Sequence, residues 1–407
     1  LMMTLPEGSS RKLVAFSDSR QAAAKLANDI ESEQWRHLLQ YFILHEIRAR
    51  AVGVLLGYKQ KVLEQLEEAE VDQDWLQEVN DNLNDGDWQD FLGFLNEATA
   101  VVKTPIMATE QAKENVKTIE MSEAGLVRLD DFLSIPQESH KLPVVWKRLA
   151  CLGVPPAGPE VSFQRWSSLV DFVRNKSGLP DPSLRTSPPL ESEERTALEK
   201  MGIELRRQSW RAISGRLLYD LESKGFGYFV LPASTELSCP TGMDGTNFRN
   251  ICASVMRILT EEYCTDPSQF DSPNDPWDIN HPSEKTPAVK KKRVLKYLQA
   301  CSELHAPPWE SLRDGVQQTL ISAGHLWGVV RLSQLCVKVV DRKDNPWICG
   351  NCSRLHWHSS AGVCSRCSTK LPEAPDASVT AGALEEEHYY AYLSKQADSS
   401  FRIHAEE

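Results

Sequence analysis

The chain has 407 residues, a length that suits two to four domains. Its 41% hydrophobic and 25% charged residues are those of a soluble globular protein, and no apolar run approaches a membrane span. A net charge of −12 excludes a protein that coats nucleic acid through bulk charge, and residues 51–100 carry twelve of the carboxylates against only Lys59 and Lys61.

No secretory signal opens the chain, so the cytoplasm is the expected compartment. The first residue is Leu1, which fits an internal piece of a longer protein. Within "KLVAFSDSRQ", residues 13–16 form a short apolar run of the kind seen in buried parallel strands. Asp18 and Gln21 then have the spacing of a capping box. Ala22, Ala23, Leu26, Ala27 and Ile30 follow at helical spacing. A strand turning sharply into a helix is half of a βαβ unit, and its parallel partner should return downstream. Residues 1–34 form this first unit.

The partner does not come next. Residues 35–152 read as a helical insertion. Trp35, Leu38, Leu39, Phe42, Ile43 and Ile47 mark one amphipathic helix, and residues 58–102 fit a helical hairpin with an acidic outer face. Residues 153–190 contain seven prolines and predict loops around one short helix within 161–175. Residues 191–284 read as a helical subdomain and linker. Its helix runs through Trp210, Ile213, Leu217, Leu218 and Leu221; a strand at 228–231 and a helix at 248–263 follow.

In residues 285–345, Thr286-Pro287 opens a helix that reaches about residue 303. A second helix spans 309–323, and strands follow at 329–332 and 335–340. Two helices and then a two-stranded ribbon is the order found in part of a winged-helix domain. Residues 285–296 also hold six cations and no carboxylate, including Lys290, Lys292, Arg293 and Lys296. Phosphate contact and a solvated helix face are the two readings of this cluster.

Ten cysteines are spread unevenly. Cys151, Cys239, Cys252, Cys264, Cys301 and Cys336 are isolated and expected as buried free thiols. Residues 346–372 contain Cys349, Cys352, Cys364 and Cys367, two C-x₂-C pairs separated by eleven residues. Each pair offers two thiolates from one tight turn, which suits tetrahedral structural zinc. Gly350 is expected to relieve the first turn. Four thiolates leave no vacancy for His356 or His358. The ribbon should present Arg354, His356, Trp357, His358 and Arg366 to a nucleic acid or a protein. Residues 373–407 predict a helix at 384–394 and an extended segment at 401–404. That segment is the candidate second strand, so the opening unit would be split by an insertion that makes up most of the chain.

The stretch "LVAFSDSRQAAAKLA" resembles motif IV of superfamily-2 DEAD/DEAH-box helicases, which opens their second RecA-like domain. With the zinc-binding segment and the ending "SFRIHAEE", it resembles the large bacterial type found in phage defence, as in Druantia systems. Taken with the predicted elements and the cysteine spacing, the resemblance implies a mostly α fold with a small α/β part: a partial RecA-like βα unit interrupted by a large helical insertion, with a candidate winged-helix-like element and a zinc ribbon. It also implies an ATP-dependent motor on nucleic acid, DNA above RNA, with ATP and Mg bound only in the parent protein. Defence-system proteins would be its partners, and no membrane is involved. Ser17 and Arg20 would contact phosphates; the other reading is that Asp18, Ser19 and Arg20 only cap the helix and pair locally. The chain contains no Gly-x-x-x-x-Gly-Lys-Ser/Thr loop, no Asp-Glu-x-Asp/His motif and no arginine-rich motif VI, so alone it should not hydrolyse ATP. A zinc-ribbon interaction scaffold without a motor and a nucleic-acid-binding adaptor are the alternatives.

Overall fold

The structure, a computed structural model, describes residues 35–47, 126–136, 141–151, 154–158, 163–172, 174, 181–214, 220–232, 234–268, 292–326 and 328–387. The motif-IV-like segment with Ser17 and Arg20, the acidic hairpin at 58–102, Lys290 and the candidate return strand at 401–404 lie outside these residues.

The elements in chain order begin with α1 (residues 35–47), β1 (Leu126–Arg128), α2 (Asp130–Leu133), α3 (Val144–Cys151) and α4 (Phe163–Leu169). Next come β2 (Val170–Asp171), β3 (Ser183–Leu184), α5 (Ser192–Ile213), β4 (Gly227–Val230) and α6 (Gly245–Glu261). Then follow β5 (Thr265–Asp266), α7 (Lys292–Leu304), α8 (Trp309–Ser322), β6 (Val330–Arg331) and β7 (Cys336–Val339). The series closes with β8 (Trp347–Ile348), β9 (Leu355–His356) and α9 (Ala381–Glu387). The described chain is mostly helical, with small sheets.

α5 is the longest of these helices and begins where its sequence caps it. Glu191 and Glu194 form a capping box, and the Glu191 N–H donates to the Glu194 carboxylate at 2.9 Å. Leu198, Met201, Leu205, Trp210 and Ile213 line its buried side at helical spacing. The sequence pattern marks only the end of this helix, because its first two turns are polar. The helix does not continue to Leu221 as expected: it ends at Ile213, and Leu221 lies in a turn.

α6 is the central helix, and residues 251–261 are all buried. Asp244 caps it by accepting the Asn247 N–H at 2.8 Å. It packs on β4, α7 and α8. β7 is the middle strand of an antiparallel sheet ordered β1-β7-β4. Val127, Val337 and Phe229 align across it and are all buried, as the two-residue alternation of strands requires. Trp146 and Trp166 meet at 5.8 Å between ring centres elsewhere in the same core.

The winged-helix expectation fails at its strands. β6 pairs in parallel with β5, whereas β7 joins β1 and β4. The 3₁₀ turn at Leu332–Gln334 separates the two strands and sends them to different sheets. Cys151 is exposed at the end of α3, against the expectation of burial.

Gly315 sits where α8 passes the 238–240 segment. A Cβ at this position would lie 2.5 Å from the Ser238 carbonyl oxygen. That contact is with backbone, so the helix itself would have to move. Gly315→Ala should lower unfolding free energy by about 1–3 kcal/mol, with the denaturant midpoint falling at constant slope.

Candidate metal centre

Cys349, Cys352, Cys364 and Cys367 come together, with all four sulfurs within 4.8 Å of one another. Cys349 Sγ and Cys367 Sγ are 3.5 Å apart, and Cys352 Sγ and Cys364 Sγ 3.6 Å. A tetrahedral site with metal–sulfur bonds of about 2.3 Å has edges of about 3.8 Å, so the spacing fits a metal ion of that kind.

Two similar turns build the cluster. The Cys349 N–H donates to Arg354 O and the Ser353 N–H returns to Cys349 O. In the second turn, the Cys364 N–H donates to Thr369 O and the Ser368 N–H returns to Cys364 O. Ser353 and Ser368 take left-handed conformations, with φ of 56° and 59°. Gly350 does not, contrary to expectation; the turn reverses one residue after the second cysteine instead. β8 and β9 flank the first turn as an antiparallel pair, with Trp347 opposite His356.

Donors surround the sulfurs. The Thr369 hydroxyl lies 3.0 Å from Cys367 Sγ and 3.3 Å from Cys349 Sγ. The Arg366 N–H points at Cys364 Sγ from 3.4 Å, as does His356 Nε2. Burial raises the Cys367 thiol, but hydrogen bonds from Thr369 and Asn351 outweigh it and draw the pKa down to about 6. Burial dominates at Cys364 and pushes that thiol up. His356 is thus a hydrogen-bond neighbour of the cluster rather than a fifth ligand. With Cys364 as a metal-bound thiolate, which only accepts, His356 Nε2 would carry the proton. Burial, followed by Arg257, keeps this imidazole neutral.

The ribbon does not present the surface expected of it. Arg354, His356, Trp357 and His358 are buried against the body, and only Arg366 of the five is exposed. Trp357 Nε1 donates to Glu222 O at 2.7 Å, and the His358 ring lies 5.3 Å from Tyr228. Asn250 donates to Ser359 Oγ at 3.0 Å, and Tyr297 Oη donates to Ser360 O at 3.0 Å. The ribbon therefore leans on β4, α6 and α7 together. A ribbon this short buries little apolar area of its own, so docking covers the face it cannot satisfy alone.

Charge lies at the centre of this docking. Arg257 and Arg354 share a buried cluster with Asp220, Glu222 and Glu261, each side chain 7% exposed or less. Arg354 Nη2 sits 2.9 Å from Asp220 Oδ2 and also meets Glu261. Arg257 binds Glu222 and donates to Leu355 O of the ribbon at 2.8 Å. Burial alone would raise the Asp220 carboxyl, but Arg354 and Arg257 hold it down at about 2. Burial wins at Glu222, with Arg257 opposing it, and lifts it to about 7.

The basic cluster divides. Arg293 Nη2 lies 2.5 Å from Glu261 Oε2 and 3.7 Å separates its Nη1 from Glu262, while its Nε donates to Ser365 O. Its charge is thereby engaged inside the fold. Lys292 and Lys296, four residues apart on α7, are exposed. Sequence reasoning did not single out Arg257, Glu261, Asp220 or Glu222. The available signal was two charges, Arg257 and Glu261, four apart within the largely apolar stretch 251–261. Lys224 is likewise fully buried; its Nζ donates to Gln40 Oε1 at 2.6 Å, and burial lowers its pKa to about 7.

None of the described helices is long and apolar enough to cross a membrane. Comparison with protein-family models, curated proteins and solved structures returns no match.

Proposed function

We propose that Cys349, Cys352, Cys364 and Cys367 hold one structural zinc ion. We further propose that the chain belongs to an ATP-dependent superfamily-2 motor on nucleic acid, of the bacterial defence type. The observation that carries the zinc reading is the closed set of four thiols at near-tetrahedral spacing. Four protein ligands leave no open position for substrate, which suits a structural and not a catalytic ion. The motor reading rests on the motif-IV-like residues 12–27. In it, Ser17, Arg20, Lys292 and Lys296 face the nucleic acid, and ATP and Mg are bound by the parent protein.

The alternative is a zinc-stabilised interaction scaffold without a motor, in which the buried Arg354, His356, Trp357 and His358 tie the ribbon to the body. Binding to a labelled single-stranded DNA across a salt series separates the two. On the motor reading, Lys292→Ala with Lys296→Ala weakens binding, and the slope of log affinity against log salt drops by about 0.7 per lost phosphate contact. Arg20→Ala has the same kind of effect. Unchanged affinity and slope in well-folded variants would leave the scaffold.

A further inference from the structure

The geometry points to the ribbon as a metal-operated clamp: Arg354, held in place by the cysteine turns, is the counter-charge that lets Asp220 and Glu261 stay buried, so loss of the metal opens segment 220–226 and the end of α6. This inference rests on metal occupancy of the four cysteines and goes beyond the ion's role in the ribbon's own fold.

Arg354 follows directly on the first cysteine turn, and its carbonyl accepts the Cys349 N–H at 3.0 Å. Its side chain reaches out of the ribbon to Asp220 Oδ2 at 2.9 Å and to Glu261 at the end of α6. Three carboxylates and two guanidiniums of the cluster are buried, with Arg293, one-fifth exposed, as a third cation and buried Lys224 acting electrostatically on Asp220. Withdrawing Arg354 leaves the three carboxylates with Arg257, the one-fifth-exposed Arg293 and the pull of Lys224 on Asp220, one buried guanidinium fewer. A buried charge stripped of its partner is costly, and the cheapest relief is to let water in.

The contacts nearby would fail in the same event. Trp357 Nε1 on Glu222 O and Arg257 Nη1 on Leu355 O both bridge ribbon and body. Gly225, at φ 73°, also packs its Cα so close to the Ala381 carbonyl that a Cβ there would lie 2.8 Å away. Segment 220–226 is therefore gripped by the ribbon on one side and by the start of α9 on another.

Hydrogen exchange followed by mass spectrometry on the full chain tests the clamp, with zinc content measured first. Stripping the ion with a strong chelator should speed exchange in residues 347–371 and also in 220–226 and 255–263, by tenfold or more. Adding zinc back should restore protection. In Asp220→Asn with Glu261→Gln, which removes the two carboxylates that Arg354 Nη2 contacts, the gain should stay within 347–371. Faster exchange confined to 347–371 in the unmodified chain overturns the clamp, and so does equal spread in the double variant. Should that variant not fold, Arg354→Met serves. Lost protection at 220–226 with zinc still bound supports the clamp, and kept protection overturns it. A purified chain without zinc overturns both the clamp and the zinc reading.

Discussion

Cys364→Ser should leave the chain without its metal and residues 347–371 without a fold. Cys364 is fully buried, and its sulfur accepts from the Arg366 N–H and from His356. A serine hydroxyl is not a thiolate at neutral pH, so three ligands remain and the coordination sphere opens. Structural zinc contributes about 10–16 kcal/mol of binding free energy to domains of this kind, more than so small a ribbon gains from burial. Elemental analysis should find about one zinc per unmodified chain and close to none in the variant. Thr369→Ala is the graded counterpart. It removes a hydroxyl that touches two of the sulfurs but no ligand, so zinc should still bind, about 10–100-fold more weakly. Stoichiometric zinc with unchanged affinity in Cys364→Ser would overturn the four-cysteine assignment.

Arg257→Met should be the most damaging single substitution away from the cysteines, at about 3–5 kcal/mol. Arg257 is the cation between Glu222 and the ribbon, and its neighbours Asp220 and Glu261 lie 3.6 and 3.5 Å from its guanidinium. Methionine fits the volume but leaves three buried carboxylates facing Arg354 and Arg293. Relief comes through protonation of Glu222, so the loss should be larger at pH 8 than at pH 5. The unsubstituted chain already shows this tendency. The folded pKa of Glu222, about 7, lies above its ordinary 4.5, so the folded state holds a proton that the unfolded chain has released. Glu222 therefore costs stability progressively as pH rises from about 4.5 to about 7. Relative to Glu222→Gln, the natural chain should lose ground across that window and run parallel to it on either side. Asp220 behaves oppositely. It contributes stability above its ordinary 3.8, which is lost as pH falls through about 2. Urea midpoints for both proteins from pH 4 to pH 8 measure the difference, and a constant gap would mean that Glu222 titrates normally.

What could be read locally was read well. The helix expected at 309–323 is α8, Trp309–Ser322, because its start after Pro308 and its apolar spacing both lie within one stretch of sequence. The strand expected at 228–231 is β4, Gly227–Val230. The reading of α5 failed for an equally local reason. Residues 192–197 carry few apolar side chains, so a helix held by its cap and its later turns gave no periodic signal where it begins. The wing failed because strand pairing is not a local property. The apolar runs of β6 and β7 are consistent with several partners, and the sheet order depends on β1 and β5, far away in the chain.

The sequence by itself determined the four-cysteine cluster, since two C-x₂-C pairs confine four thiols to two turns of matching geometry. It also determined most helices, whose hydrogen bonds and apolar faces repeat within a few residues. Only the tertiary structure decided which way the ribbon faces. Arg354, His356, Trp357 and His358 have the composition of a binding surface, yet they are buried: Asp220 and Glu261 meet Arg354, the Glu222 carbonyl meets Trp357 and Tyr228 packs on His358, all from segments distant in the chain. A charge is stable inside a protein only beside its opposite, and that pairing is a fact of distance in space that spacing along the chain does not encode.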